Sequence, residues 1–387
     1  MSLIAVVTAF WLAVLSLLYV YFLYPALLYI ATLFTEEVEQ PLNEEALPTV
    51  SLVIAAYNEE EVIAEKIENS LRLDYPREKL SVVVFSDASS DRTDEIVRSY
   101  SDAGIRLERI EGRVGKTECQ NRVVETVDSE IIVFSDADSM YEPKAIRELL
   151  SKFAPDVGCV VGELRYRRYG VQAESAYREY EKLIKRLEPR LSSIVGGNGS
   201  IYAVRNASYV PLPPEHTSDF AEPLAIVRNG ERAEYASNAA AWENTGETVG
   251  SEVDRRIRIA TRLWNTVTDY TSLFNPIEYR LFSVQLLSHT VLRWLSPFML
   301  LIAAVSNAAL GLVKRSPMYR LLLLLQGVFY LLALGGAVAD ELEITTPTIA
   351  CVPYYFLRLN YSLLIGFYNF VSKKNIITWN TESRTPE

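Results

Sequence analysis

Apolar and polar positions fall into three regimes along the chain. Residues 3–34 form one uncharged run, longer than the roughly 20 residues needed to cross about 30 Å of hydrocarbon. The pattern predicts a transmembrane helix over residues 1–35. A cleaved signal peptide would need a basic leading segment, a shorter apolar stretch and a small-residue cleavage site. The run has none of these features, so the helix is expected to be retained. Trp294–Val313 and Leu321–Ala339 are also uncharged, and the turn Lys314-Arg315-Ser316-Pro317 separates them. This predicts a transmembrane hairpin over residues 294–340. Ile349–Val371, within the C-terminal segment 341–387, is apolar and aromatic but carries Pro353, Arg358 and Asn360. An Arg at mid-membrane costs a few kcal/mol. The segment is read as a third crossing with Arg358 facing protein, the alternative being a helix lying at the interface.

The middle of the chain has a different rhythm. TVSLVIAAY (49–57) is a short β-branched apolar run, and EEEVIAEKIENSLRL (59–73) follows it. In the latter, Val62, Ile63, Ile67 and Leu71 share one helical face. LSVVVFS (80–86) and EIIVFSD (130–136) are further apolar strands, and Asp91-Arg92-Thr93-Asp94 reads as a helix start. Continuous apolar strands alternating with helices predict an α/β domain, over residues 36–250, whose parallel sheet is covered on both faces. Residues 251–293 read as amphipathic, interfacial helices. In such sheets ligands bind beyond the carboxyl ends of the strands.

Composition narrows the function classes. The 387 residues hold 38 Lys and Arg against 49 Asp and Glu, a net charge of −11. Such a chain repels a polyphosphate backbone, which argues against a nucleic-acid partner. Cys119, Cys159 and Cys351 lie far apart, and His216 and His289 are the only histidines. A disulfide framework, a zinc ribbon and a multi-histidine metal centre are thereby excluded. Arg255, Arg256, Arg258, Arg262, Arg280 and Arg293 outnumber Lys314, Arg315 and Arg320 on the opposite turn. That bias favours a cytoplasmic catalytic domain.

All three strand ends carry acids. Tyr57-Asn58-Glu59 follows the first, Asp87-Ala88-Ser89-Ser90-Asp91 the second and Asp136-Ala137-Asp138-Ser139 the third. Asp91 and Asp94 are read as helix caps. Asp136 and Asp138, one residue apart past a buried strand, suit Mg²⁺ or Mn²⁺ already held by a diphosphate.

VSLVIAAYNEEEVI, VVVFSDASSDRTDEI, RVGKTECQN and FSDADS resemble the consecutive motifs of family 2 glycosyltransferases. With the flanking apolar helices, the likeness is to the membrane-integrated branch that includes cellulose and hyaluronan synthases. The resemblance implies the GT-A fold, a mixed, mostly parallel sheet with helices on both faces. It implies that Tyr57, Asn58 and Glu59 line a nucleotide pocket, that Asp87 contacts the base and that Lys116 meets the diphosphate. Asp136 would face the ribose and donor, and Asp138 the metal. Gly196-Gly197-Asn198-Gly199 matches the family's acceptor loop, so Gly197, Asn198 and Gly199 would face the acceptor. Asp219, in Thr217-Ser218-Asp219, would be the catalytic base, although Ser218 replaces the family's usual acid.

The Gln-x-x-Arg-Trp motif of processive synthases is altered here. In Arg255-Arg256-Ile257-Arg258-Ile259-Ala260-Thr261-Arg262-Leu263-Trp264 the Gln is missing and Arg and Trp are wrongly spaced. Arg258 and Arg262, at i and i+4, are candidates to clamp a diphosphate and Trp264 to hold the acceptor. An interfacial, headgroup-facing helix is the alternative for this segment. Trp379 and Arg384 resemble residues that often end such chains. The departure favours single additions over polymer synthesis. The expectation is an inverting, metal-dependent hexosyltransferase of the plasma membrane, among membrane lipids, with GDP-mannose ahead of UDP-glucose as the nucleotide sugar. The expected acceptor is a lipid-linked saccharide, or a polyprenyl phosphate. A processive polysaccharide synthase, a polyprenyl-phosphate sugar synthase and a catalytically inert scaffold are the rival readings.

Overall fold

The computed structural model describes residues 2–35, 42–167, 172–244, 249–314, 316–342 and 344–374. Arg315, Trp379 and Arg384 lie outside the described residues. Strands β1 (Val50–Ala56), β2 (Leu80–Asp87), β3 (Ile105–Ile110), β4 (Ile131–Asp136), β5 (Met140–Tyr141), β6 (Val157–Tyr166), β7 (Ile201–Arg205) and β8 (Arg232–Glu243) form one sheet. Its order is β3-β2-β1-β4-β7-β6-β8-β5. The pairs β3-β2, β2-β1, β1-β4 and β6-β8 are parallel, whereas β7 runs antiparallel to β4 and β6, and β5 to β8. The sheet is therefore mixed and mostly parallel. The strands after β4 were not visible as an alternating pattern in the sequence.

Strand β1 shows why both faces must be covered. Successive side chains point to opposite faces, and all seven residues of VSLVIAA are buried. Val50, Leu52, Ile54 and Ala56 enter one core with Ile63 and Ile67 of α3 (Ile63–Leu71). Val97 of α4 (Thr93–Ser99) joins the same core. Val53 and Ala55 enter the other, with Cys119 and Val123 of α5 (Lys116–Val124). Helix α6 (Ala145–Leu150) also covers the first face, and α7 (Gln172–Leu187) runs toward the apolar helices. Helix α8 (Ser218–Arg228) is enclosed: Ile226 meets the sheet while Phe220, Ala221, Leu224 and Ala225 pack outward.

That outward layer packs against further helices. These comprise α9 (Val249–Asp269), α10 (Leu281–Gln285), a π-helical turn at Leu286–Val291 and the short α11 (Leu292–Trp294). The N-terminal run forms α1 (Leu3–Leu18) and α2 (Tyr24–Thr32), joined through a π-turn at Tyr19–Leu23. Pro25 lacks the N–H that would continue the helical ladder, and the π-turn directly before it is where the helix accommodates that loss. Helices α12 (Ser296–Val313) and α13 (Pro317–Glu341) form the far pair, followed by α14 (Thr348–Val371). Among the described residues, three stretches are long and apolar enough to cross a membrane: Leu3–Thr32, Ser296–Val313 and Pro317–Glu341. Helix α14 has 24 residues and is not one of these three.

Polar groups fasten the first helix to the domain. The Tyr24 hydroxyl donates to Glu188 Oε1 at 2.8 Å, and His289 Nδ1 lies 2.7 Å from the same oxygen. Glu188 also accepts from the Val195 N–H at 3.3 Å. Glu188 is fully buried.

Two expectations follow. A Cβ at Gly366 of α14 would lie 2.5 Å from the Ala260 Cβ and 3.1 Å from the Thr261 nitrogen. Overpacking of this kind costs about 1–3 kcal/mol, so Gly366→Val should lower the thermal unfolding midpoint by several degrees, whereas Gly327→Ala, with open space around it, should not. Glu222 of α8 is the second. It is fully buried and neither carboxylate oxygen has a hydrogen-bond partner in the structure. Burial pushes its carboxyl up to about 8. The folded state then holds a proton that the unfolded chain has released, so this group costs stability as pH rises from about 4.5 to about 8, at roughly 1.4 kcal/mol per unit. Glu222→Gln should gain stability relative to the native chain across that window, measured by denaturant unfolding at pH 5 and pH 8.5.

Candidate active site

The register of β2, β1 and β4 builds the site. Ala56 pairs with Ser86 and Ala55 with Asp136. Tyr57, Asp87 and Asp136 therefore emerge side by side at one edge of the sheet, as the carboxyl ends of three parallel strands. At this edge the chain turns sharply, and Asn58, Ala88 and Arg113 all adopt left-handed backbone conformations with φ of 53°, 57° and 54°. Such conformations cost about 1–3 kcal/mol for residues other than glycine, and here hydrogen bonds between the first two loops hold the turns of Asn58 and Ala88. The Asn58 N–H donates to Ser89 Oγ at 3.1 Å, the Glu59 N–H to Thr93 Oγ1 at 2.8 Å, and Asn58 Oδ1 accepts from the Ser90 N–H at 2.8 Å.

Asp91 accepts from the Thr93 N–H at 3.0 Å, as a cap does, and also from the Glu60 N–H at 3.1 Å. Asp94 differs from the expectation. It is paired with Arg109 and, at 3.9 Å, with Arg98.

Asp87 is 0% exposed. Its carboxylate accepts from the Val114 N–H at 2.8 Å, the Gly115 N–H at 3.1 Å and Arg113 Nη1 at 3.2 Å. The Arg113 guanidinium lies 3.1 Å from the centre of the Tyr57 ring. Asp87 thus shapes the 113–115 loop that presents Lys116, and Arg113 bridges Asp87 and the Tyr57 ring.

Lys116 opens α5 behind Gly115, whose φ of 94° is a conformation glycine adopts readily. Its ammonium pairs with Asp136 and donates to the Gly199 carbonyl at 3.3 Å. Around the Asp136-Ala137-Asp138 turn, Ala137 and Ser139 are buried while Asp136 and Asp138 are only half-buried. The alternation puts both carboxylates on the open side.

Gly199 is where the site closes. A Cβ there would meet Lys116 Nζ at 2.8 Å, Asp136 Oδ2 at 3.4 Å and Asp219 Oδ2 at 3.9 Å. Asp219 sits in the first turn of α8, where the helix favours a negative charge. Its backbone carbonyl accepts from the Gly197 N–H at 2.9 Å, so the 196–199 loop and Asp219 are fastened together. Asn198 is turned away, donating to the Gly162 carbonyl at 2.8 Å and accepting from the Ile201 N–H at 3.2 Å. Its amide shapes the loop.

Two candidates lie elsewhere. The Arg262 guanidinium is spent on backbone carbonyls of residues 214–216 and on Thr117 Oγ1 at 3.2 Å. Burial lowers it to about 10. It anchors the approach to Asp219 rather than extending an open fork. Trp264 is 7% exposed and packs on Trp294, Phe367 and Phe370 with ring centroids 5.2, 5.2 and 6.0 Å away. The structure makes it a core residue between α9 and α14, because the helix turns this side inward.

Three side chains at the site escaped the sequence reading. Lys66 of α3 is 0% exposed, donates to the Ser139 carbonyl and lies 3.9 Å from the centre of the Tyr141 ring. Burial pushes its ammonium down, against the opposing pull of Asp136, Asp138 and Glu243. Its spacing from Val62 and Ile63 put it on the apolar face, a signal that was available. Glu243, at the end of β8, accepts from Ser139 Oγ at 2.5 Å. Burial, then repulsion from Asp138 and Asp136, pushes its carboxyl up. Lys185 of α7 donates to the Gly197 carbonyl at 3.2 Å.

Among the described residues no three His, Cys, Asp or Glu side chains gather as a ready metal cage. Two half-buried carboxylates fit a hard cation whose remaining ligands come from substrate phosphates and water.

Comparison with known proteins agrees with this architecture. A mannosyltransferase from Pyrobaculum calidifontis, solved with GDP-Man and Mn²⁺, superposes with a TM-score of 0.69 over 96% of this chain and 98% of its own, at 22% identity. That likeness establishes a shared GT-A fold. The poly-β-1,6-N-acetyl-D-glucosamine synthase of Staphylococcus aureus is 26% identical over 245 residues, 59% of each chain. A probable glycosyltransferase of Bacillus subtilis is 32% identical over 130 residues, 32% of this chain and 31% of its own. The chain thus spans about 59% of the length of the synthase. Residues 51–209 match the model of glycosyl transferase family 2, and the chain carries a domain of that family.

Proposed function

We propose that this chain is an inverting, metal-dependent membrane glycosyltransferase that moves a hexose from a nucleotide sugar to a lipid-linked saccharide. The observation that carries the proposal is the meeting of Lys116, Asp136 and Asp219 around Gly199 at the strand edge. A cation, a carboxylate on the donor side and a carboxylate on the acceptor side then lie within a few ångströms of one another, which is what a single displacement at an anomeric carbon needs. Paired carboxylates flanking one bond, the arrangement used for glycoside hydrolysis, are not required.

In this reading Asp219 accepts the proton of the acceptor hydroxyl as that oxygen bonds to the anomeric carbon. The bond to the diphosphate oxygen breaks on the opposite face, and the sugar configuration inverts. A carboxylate suffices as base because the hydroxyl becomes acidic only as the new bond forms. Lys116, held by Asp136 and the Gly199 carbonyl, supplies positive charge to the departing diphosphate. When bound by Asp138 and Asp136, Mg²⁺ or Mn²⁺ would neutralise further charge on that leaving group. Arg262 keeps the 214–216 segment in place in front of Asp219.

Likeness to the mannosyltransferase solved with GDP-Man and Mn²⁺ supports GDP-mannose ahead of UDP-glucose. Apolar helices on both sides of the domain support a lipid-linked acceptor and membrane lipids as surroundings, and the excess of arginines over residues 255–293 supports a cytoplasmic domain at the plasma membrane. The second reading, a processive polysaccharide synthase, rests on the Staphylococcus relative. Incubating purified protein with labelled sugar nucleotides and native membrane lipids separates the two: single additions support our reading, and long polymers the other.

Two substitutions test the roles. Asp219→Asn should lower turnover at least about 10²-fold while donor binding stays intact, and near-native turnover refutes the assignment. Asp138→Ala should abolish the dependence of nucleotide binding on Mn²⁺ in a calorimetric titration, and an unchanged isotherm counts against it.

A further inference from the structure

The buried layer beneath the Asp136–Asp138 turn has no part in the mechanism above, yet it holds Lys66, Ser139, Ser200 and Glu243, all buried. Ser139, directly after Asp138, donates its hydroxyl to Glu243 Oε1 at 2.5 Å. Ser200, directly after Gly199, donates to the same oxygen. One buried carboxylate oxygen thus binds the donor-side turn and the acceptor loop at once. Tyr141 makes a parallel link, its hydroxyl 3.0 Å from the Phe134 carbonyl and 3.2 Å from the Ser200 carbonyl. Lys66 completes the layer from α3, donating to the Ser139 carbonyl. Ser139 is 0% exposed and Ser200 5%. A buried carboxylate is tolerated only with partners that satisfy it, so an arrangement this costly needs a return, and mere filling of the core would be achieved more cheaply by apolar residues.

We propose that Glu243 is a positioning residue that, with Lys66, locks the Asp136–Asp138 turn to the Gly197–Gly199 loop and so presets the site for a divalent cation. This rests on the metal-dependent reading above. Glu243 lies buried beneath the site, 9% exposed. It binds the side-chain hydroxyl of the residue that follows each of the two site segments, Ser139 after Asp138 and Ser200 after Gly199. Removing it frees the carboxylate of Asp138 to wander and uncouples the two loops. Groups that orient the ligands of a metal in this way typically contribute 10–100-fold in metal affinity.

The test is Mn²⁺ titrated calorimetrically into the purified full-length protein in detergent with a nucleoside diphosphate bound, since the phosphates complete the site, and with the thermal unfolding midpoint followed for each variant. Glu243→Ala should weaken Mn²⁺ binding about tenfold or more. Glu243→Gln, which keeps an oxygen for both serine hydroxyls, should restore most of that loss. Ser200→Ala, which alters only the acceptor loop, should still weaken Mn²⁺ binding about fivefold, the effect of one hydrogen bond. A purely structural role predicts a lowered unfolding midpoint with Mn²⁺ affinity unmoved, and that result overturns the proposal. Equal affinity in the Ser200→Ala and native chains overturns the coupling between loops, and this variant carries the test if Glu243→Ala fails to fold. A native chain that binds no Mn²⁺ overturns the metal-dependent reading itself, and the inference falls with it.

Discussion

The parallel pairing of β1 between β2 and β4 is the constraint from which the rest of the site follows. Parallel strands all end at the same edge, so three separate stretches of sequence deliver their next residues to one line. The register then decides which residues meet: a slip of one position would turn every side chain to the opposite face. Because both faces of β1 are buried, such a slip would exchange two cores at once. The hydrophobic packing of Val50 through Ala56 therefore fixes the positions of Tyr57, Asp87 and Asp136, although none of these three packs in that core.

Charge poses the second problem. An acidic chain proposed to bind a sugar nucleotide must overcome repulsion between like charges, and the structure places cations locally to do so. Lys116 faces Asp136, Arg113 faces Asp87, and Lys66 lies below the pair of aspartates. Two of the acids at the strand ends, Asp87 and Asp91, are engaged by backbone N–H groups. The two carboxylates of the Asp136–Asp138 turn keep their open-side orientation, which suits a divalent cation.

The legible part of the sequence was the part whose period is short. β1, β2 and β4 announced themselves as apolar runs, and the membrane helices as uncharged ones, because burial on every side leaves no polar residue to confuse the pattern. β6, β7 and β8 mix buried positions with polar or half-buried ones at their ends, and their pairing is set by partners far away in sequence. The short motifs around Asn58, Asp87, Lys116, Asp136 and Asp219 were recognisable from their order. What stayed hidden was the use of each side chain. Nothing local distinguishes Trp264 facing a substrate from Trp264 facing Phe367, or Arg262 in an open fork from Arg262 bound to carbonyls. Those outcomes depend on where α9 lies against α14 and the 214–216 segment. Lys66 is the instructive omission, since a lysine flanked by Ile63 and Ile67 on one helical face was a visible anomaly.

The link from Tyr24 to Glu188 and His289 has a practical meaning for handling the protein. It would be natural to cut away the first helix to obtain a water-soluble domain, treating residues 1–35 as a detachable anchor. The geometry argues otherwise. Excision would take the phenol from a carboxylate that is wholly enclosed, and would uncover the apolar surface of Ile184 and Leu187 that Tyr24 and Leu28 now cover. The first helix is as much a wall of the catalytic domain as a tether, so a shortened protein would need a replacement for that wall before it could be expected to behave like the native one.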